Sequence, residues 1–343
     1  MTTGGIRYPV ETPPAEGAAV EIAPGILWMR LPLPIALDHV NVYALDDGDG
    51  WTILDTGMDS RRTRAVWTSL LAGPLAGRPV TRVVVTHHHP DHIGLAGWFL
   101  SRGAELVTTR TAWLMARMLV LDVQPLPTAE QIAFWRAAGM DDALLATRLT
   151  ERPFNFADCV SALPLGYSRI ADGDQIVMAG RRWRIHTGDG HAPEHATFFS
   201  QDDALVLGGD QLLPSISPNI GVYATEPGAD PLGEWITSCR RFQAIARDDQ
   251  LVLPGHKLPF TGLPLRLTQM IDNHDGALAR LRDHLAQPRR ATDCFAPLFK
   301  RQIGPAEYGL ALVEAVAHLN HLTRTGNAIC HRQGGVWFWQ GVA

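Results

Sequence analysis

Residues 86–94 read Thr-His-His-His-Pro-Asp-His-Ile-Gly, directly after a β-branched run over 83–86 that has the signature of a buried strand. No other feature constrains the fold as much. Four side chains with metal affinity, His87, His89, Asp91 and His92, leave a core strand within six residues. Imidazole and carboxylate are the usual ligands of zinc and of other borderline divalent ions. One short loop does not easily wrap all four around a single ion. It can offer His87 and His89 to one metal and Asp91 and His92 to a neighbour. Pro90 stiffens the loop, and Gly94 suits a tight backbone path into the next helix.

A metal pair needs further ligands, and three places fit. His191 lies in the Gly-rich stretch 188–195, Asp210 closes a Leu-Gly-Gly-Asp run, and His256 closes Val-Leu-Pro-Gly-His. Each follows a strand-like segment, and strand ends are where a rigid scaffold can present ligands accurately.

The rest of the chain alternates in texture. Residues 1–21, rich in Pro, Gly and Ala, read as an extended lead-in. Strands are expected over 26–31, 40–45 and 51–54, with an Asp/Gly turn at 46–50, which is a meander and not a βαβ opening. Residues 61–71 have helical spacing. Residues 111–165 read as helical and apolar, interrupted by Pro125 and Pro127. Strands return over 175–178, 183–186, 197–200, 204–207 and 251–253. Amphipathic helices over 267–285 and 310–322 then precede a hairpin over 327–339 with Gly334 and Gly335 at its turn, the shape of a winged-helix end.

Taken together, these motifs resemble the metallo-β-lactamase superfamily. Leu54-Asp55-Thr56-Gly57 matches its first marker, and His87, His89, Asp91 and His92 match its His-x-His-x-Asp-His motif. His191, Asp210 and His256 match its later His, bridging Asp and final His, all in order between about residues 22 and 260. The resemblance implies an α/β fold, a four-layer αββα sandwich over 22–262, with 263–343 as a C-terminal helical, winged-helix-like extension. It implies that His87, His89 and His191 hold one metal, that Asp91, His92 and His256 hold the second, and that Asp210 bridges them. The cofactors would be two divalent metal ions, with zinc favoured and iron or manganese compatible.

Other residues take secondary roles in this reading. Asp91 would also be catalytic, exchanging a proton with a metal-bound hydroxide or the leaving group, so that no Ser or Cys nucleophile is needed. Asp55 would orient a ligand loop by hydrogen bonds. His88 stands at the motif position that carries no metal and is expected to point away. His195 either lines the pocket or satisfies its loop. Tyr223 either steadies an oxyanion or packs as an ordinary aromatic. The insertion 111–165 is read both as helical core and as a lid whose Trp113, Met115, Met118 and Trp135 would favour an apolar or acyl substrate.

Composition narrows the partners. A formal net charge of -5 over 343 residues argues against a general polyanion binder. In the tail, Arg289, Arg290, Lys300 and Arg301 are diluted by acidic neighbours, so a packing or dimer module is expected there and not a DNA reader. No run approaches ~18 consecutive apolar residues, and the first residues lack the basic start and apolar core of a secretory signal. Four scattered cysteines without a Cys-x-x-Cys pair point to reduced thiols and a cytoplasmic protein. The expected partner is a small-molecule substrate, with no nucleic acid and no membrane, and with a homodimer left open.

The implied αββα core with a helical, winged-helix-like tail resembles the glyoxalase II-like and β-lactamase-like-protein-2 branch. That branch implies hydrolysis of a small carbonyl ester, thioester or lactone, as a thioesterase or lactonase would perform. The alternative is a phosphodiesterase or RNase on the same two metals. A redox role would need a flavodoxin-like partner domain, for which no room is expected after residue 260. Lys257 is the one lysine beside a ligand position, so a glutathione-binding basic patch has no clear equivalent.

Overall fold

The computed structural model describes residues 5–342. The opening strands pair as their turns direct. β1 (Val20–Ala23), β2 (Ile26–Pro32), β3 (His39–Asp46) and β4 (Trp51–Leu54) form an antiparallel meander, with Trp28 opposite Tyr43 and Tyr43 opposite Leu54. Between β3 and β4, Gly48 takes φ +83° and donates its amide to the Asp46 carboxylate, which closes the turn. The helix α1 (Arg61–Ala72) then carries the chain over one face, so that β5 (Val80–Val84) joins β4 in parallel. β6 (Glu105–Thr108) and β7 (Ser168–Arg169) extend the sheet to seven strands, also in parallel. β1, β6 and β7 were not expected from sequence. β1 is a half-exposed edge of mixed polarity, and the other two are too short to show a period.

The second sheet has five strands: β8 (Gln175–Met178), β9 (Arg181–Gly188), β10 (His195–Ser200), β11 (Leu205–Gly209) and β12 (Leu251–Pro254). Only β11 and β12 run parallel, with Gly209 opposite Pro254, so both strands end on the same edge.

Three apolar clusters fill three interlayer spaces. Between the sheets, Trp28, Tyr43, Leu54 and Val84 meet Trp183, Ile185, Phe198, Leu207 and Leu253. The alternate residues of the first sheet, such as Met29, Ala44, Ile53 and Val83, pack on Val66, Trp67 and Leu70 of α1 and on Ile93, Trp98 and Phe99. The last two come from α3 (Ala96–Leu100), and Ile93 ends the one-turn helix α2 (Pro90–Ile93). Strands buried on both faces read as near-continuous apolar runs, which explains the texture of 40–45 and 83–86.

The insertion forms α4 (Arg110–Leu121), α5 (Ala129–Ala137) and α6 (Asp142–Arg148), each opened by a side-chain cap from Thr109, Thr128 or Asp141. The expectation of helix through residue 165 is corrected. After Arg148 the chain has no further α-helix before β7, only turns, irregular backbone and a single 3-10 turn at Phe156–Asp158. Pro153 and Pro164 disfavour helix there, and Asn155 pairs with both backbone groups of Gln124 (2.7 and 3.0 Å), which replaces helical hydrogen bonding.

On the outer face of the second sheet lie α7 (Pro231–Gln243), α8 (Leu263–His284), α9 (Phe295–Phe299) and α10 (Tyr308–Arg324). α8 starts four residues before the expected 267. Gly262 at φ +91° and Pro264 in the first turn start it, a pair that reads as a loop by composition. The hairpin β13 (Ala328–Gln333) and β14 (Val336–Gly341) turns through Gly334 and Gly335, both at positive φ, as expected. One apolar cluster joins Val206 and Val252 of the sheet, Trp235 and Phe242 of α7, Met270 of α8 and Leu312 and Val316 of α10. Phe134 of α5 belongs to it and meets Trp337 edge-on at 5.8 Å. The fold is thus the four-layer αββα sandwich with its helical tail packed onto one outer layer. None of the described helices is long and apolar enough to cross a membrane.

Asn41 ties the two sheets together at one end. Its carbonyl oxygen accepts from Trp28 Nε1 (2.9 Å) and Arg30 Nε (3.1 Å), and its amide donates to the Pro254 and Lys257 carbonyls (2.9 Å each). Asn41→Ala is expected to leave the Trp28 indole N–H without an acceptor inside the core. The cost is about 1–3 kcal/mol, read as a lower urea midpoint at an unchanged slope.

Candidate metal centre

Strand ends build the site. In the first sheet the parallel register of Leu54 with Val84 brings Asp55 beside residues 85–86. Asp55 sits at φ +57°, a conformation that Asp tolerates better than most residues, and this turns its carboxylate across to the next strand end. There it accepts from the Thr86 amide (2.8 Å), from the Thr86 hydroxyl (2.9 Å) and from His92 Nδ1 (2.8 Å). In the second sheet the antiparallel register continues from Phe198–Leu207 to put His195 opposite Asp210. The Asp210 amide donates to His195 Nε2 at 3.0 Å. The sheets meet here through the Ala196 amide, which donates to the Thr86 carbonyl at 2.8 Å.

The first group of ligand atoms is His87 Nε2, His89 Nδ1 and His191 Nε2. His89 Nδ1 lies 3.0 Å from each of the other two. The outer nitrogens fix the tautomers. His191 Nδ1 donates to the Asn219 carbonyl (2.9 Å), which can only accept. His87 Nδ1 faces the Thr86 hydroxyl (2.9 Å), whose own proton goes to Asp55. The inward nitrogens of His87 and His191 are therefore lone pairs. Burial, followed by neighbouring imidazoles, holds His87 and His89 well below the usual histidine range, so both are neutral and suited to ligation.

The second group is Asp91, His92, Asp210 and His256. His92 donates outward to Asp55, and His256 Nδ1 donates outward to the His39 carbonyl (2.8 Å). Their Nε2 atoms thus face carboxylates: His92 to Asp210 Oδ1 at 3.3 Å and Asp91 at 3.5 Å, His256 to Asp210 Oδ2 at 3.2 Å and Asp91 at 3.3 Å. Asp210 Oδ2 also lies 3.6 Å from His191 Nε2, so this carboxylate touches both groups.

These contacts test whether the residues fit a metal. Nitrogen lone pairs and carboxylate oxygens converge in a buried space, and such atoms repel unless a cation lies between them. Among the described residues, His92 Nε2 and Asp210 Oδ1 are buried without a hydrogen-bond partner. Burial opposes charge on His256, but Asp210 and Asp91 outweigh it and push the imidazole up to about 10. The centre therefore holds positive charge, either protons or metal ions, and the donor set suits divalent zinc, iron or manganese. Gly255 leaves room for it: a Cβ there would lie 2.3 Å from Asp210 Oδ1 and 2.9 Å from His92.

The seven residues expected as ligands are thus brought together, with Asp55 directly behind His92. His88 points away, stacked on Phe156 at 6.3 Å. His195 is fully buried and stacked on His87 at 4.5 Å, so of its two expected roles it has the supporting one. Tyr223 is half exposed, with its hydroxyl over Gly221. Two aromatics read as lid residues are engaged elsewhere: Trp113 stacks on Tyr167 at 5.0 Å, and Trp135 packs against the tail cluster. Thr86, His39 and Asn219 support ligands without having been singled out from sequence. Thr86 was detectable as the last strand residue before the motif. His39 and Asn219 act through backbone carbonyls, which leave no trace in residue identity.

Residues 35–256 match the metallo-beta-lactamase superfamily, and residues 278–341 match the metallo-beta-lactamase-like C-terminal domain. A beta-lactamase domain protein from Burkholderia ambifaria shares 35% identity, covers 98% of each chain and superposes with a TM-score of 0.90. A metallo-beta-lactamase family protein from Thermus thermophilus shares 26% identity over 94% of this chain and 100% of its own, with a TM-score of 0.78. The probable metallo-hydrolase YqjP of Bacillus subtilis (strain 168) is 28% identical over 310 residues, 87% of this chain and 92% of its own. With the family match spanning most of the sandwich and every donor of the buried centre in place, this chain belongs to the metallo-beta-lactamase superfamily as a metallo-hydrolase.

Proposed function

We propose that this chain hydrolyses a small carbonyl ester, thioester or lactone at a two-metal centre. In this reading His87, His89 and His191 hold one ion, Asp91, His92 and His256 hold the other, and Asp210 touches both. The observation that carries it is the pair of donor groups sharing Asp210, at 3.2 Å from His256 and 3.6 Å from His191. Metal ions held there would supply Lewis acidity, lowering the pKa of a bound water and polarising the oxygen of the bond to be cleaved.

The chain's own residues supply position and proton transfer. Asp55 and the Asn219 and His39 carbonyls lock the ligand rings, so little reorganisation is needed during reaction. The Asp91 side chain is 20% exposed against 8% for Asp210, which makes it the carboxylate suited to exchange a proton with the attacking water or the leaving group. Tyr223, on the segment that carries Asn219, is a candidate to steady the developing oxyanion.

An apolar carbonyl substrate is supported by the segment that borders the site. The Thr111 amide, at the start of α4, donates to Glu194 in the His191 loop (2.8 Å), and the outer face of α4 exposes Leu114, Met118 and Leu121. The nearby Arg30 guanidinium is already engaged by the Lys257 carbonyl (2.7 Å) and Asn41. The phosphodiesterase reading, which needs cations for phosphate, would then rest on Lys257 beside His256. The four cysteines are free thiols, which agrees with a reducing, cytoplasmic setting.

Purified protein should carry about two metals per chain by plasma mass spectrometry and should cleave a thioester or lactone faster than bis-p-nitrophenyl phosphate. Activity on the phosphodiester alone would move the assignment to the nuclease reading. His87→Ala and His256→Ala should each abolish activity and lower metal content, while His88→Ala should retain both. Equal loss in all three would refute the ligand assignment.

Metal removal should also reshape stability against pH. His256 is raised from an unfolded value near 6.5 to about 10, so its contribution is full below about 6.5 and is lost as pH climbs through 10. His87 and His89 are depressed, so they withdraw stability as pH falls below about 6.5. The chelated protein should therefore melt highest near neutrality and lose Tm on both sides. The loaded protein should keep its alkaline Tm, because its ligand nitrogens carry no proton to lose. Identical alkaline limbs would contradict this account.

A further inference from the structure

We propose that Glu314, on helix α10 of the C-terminal tail, is a positioning residue for His191, acting through Asn219. The inference rests on His191 being a metal ligand and goes beyond it by assigning the tail a part in holding the metal. His191 lies beyond the end of β9. It lies in a loop, and its orientation depends on one acceptor, the Asn219 carbonyl at 2.9 Å. Asn219 belongs to residues 211–230, a stretch between β11 and α7 without helix or strand. A carbonyl on such a stretch can steer a ring only if something fixes it.

The tail fixes it. The Asn219 side-chain amide donates to Glu314 Oε2 (2.8 Å) and to the Leu310 carbonyl (3.2 Å). The Val222 amide donates to the Val313 carbonyl (3.0 Å). Helix carbonyls have a second lone pair for such donors. Gly221 allows the close approach, since a Cβ there would lie 2.8 Å from Val313 Cγ2. The loop is thus laid along one turn of α10, and Glu314 is its side-chain anchor. The neighbours of Glu314 on the helix, Leu312, Val313, Ala315 and Val316, are buried. Burial pushes the carboxyl up to about 7, against the opposing Asn219 hydrogen bond. A carboxyl in that setting is costly unless its hydrogen bond is useful. The path from Glu314 through Asn219 to His191 runs from the region matching the C-terminal domain to the region matching the catalytic one.

The test is chelator competition on the full chain loaded with zinc, with retained metal counted by mass spectrometry and folding checked by Tm. Wild type should lose its two metals in two steps, and His191→Ala should lack one of them. In Glu314→Ala, that same step should move to roughly tenfold lower chelator, the low end for outer contacts to a ligand, while the other step stays in place. Glu314→Gln retains an oxygen that accepts from Asn219 and should stay near wild type. His321→Ala removes a different polar contact of α10, to Asp230 at 3.0 Å, and should leave both steps unchanged. The proposal is overturned if Glu314→Ala follows wild type, if both steps shift together, or if His321→Ala gives the same shift. A wild-type chain that binds no zinc would overturn the ligand reading, and this proposal with it.

Discussion

The structure depends on an electrostatic demand. Five imidazoles and two carboxylates converge in a space almost closed to water, and the outer nitrogens of four of those rings are bound to fixed partners: Thr86, Asp55, Asn219 and His39. With protons committed outward, the inner nitrogens present lone pairs to each other and to carboxylate oxygens. No assignment of neutral tautomers removes that repulsion, so the site requires cations. The surrounding scaffold must hold mutually repelling donors in place.

The sandwich meets that demand by dividing the donors between two rigid bodies. The first sheet supplies Asp55 and the loop 87–92. The second supplies the His191 loop, Asp210 and His256 at adjoining strand ends. The bodies are joined by Trp183, Phe198 and their partners between the sheets, and at the site end by Asn41 and the bond from Ala196 to Thr86. Dense packing of this kind resists small displacements, which lets ligand atoms stay 3.0–3.6 Å apart. The glycines at the site follow from the same closeness: beside Asp210 and His92 there is no volume for a side chain at residue 255.

The helical tail belongs to this mechanical system. Its residues share one apolar cluster with the second sheet, α7 and α5, so it forms the outer layer without which Val206, Val252 and Trp235 would lose their cover. The insertion is braced from two sides, by Phe134 against the tail hairpin and by the Thr111 amide at Glu194. That explains why two of its tryptophans serve packing, while Leu114, Met118 and Leu121 of α4 stay exposed.

Much of the centre was legible in the sequence, because ligand chemistry restricts residue type and strand ends restrict position. Asp55, the loop 87–92, His191, Asp210 and His256 stand out for that reason, as do the meander and the Gly334-Gly335 hairpin turn. Short edge strands such as β1 and β7 were not legible, since pairing and not local preference makes them strands. Nor was the irregular path after Arg148, where Asn155 replaces backbone partners from a distance. The sequence by itself determined which donor side chains the chain offers and where the core strands lie. Only the tertiary structure decided how those atoms are aimed, through carbonyls of His39 and Asn219 that any residue could supply. It alone brought Glu314, ninety-five positions away, onto Asn219, because hydrogen bonds to backbone groups and contacts across layers are set by packing and not by residue type.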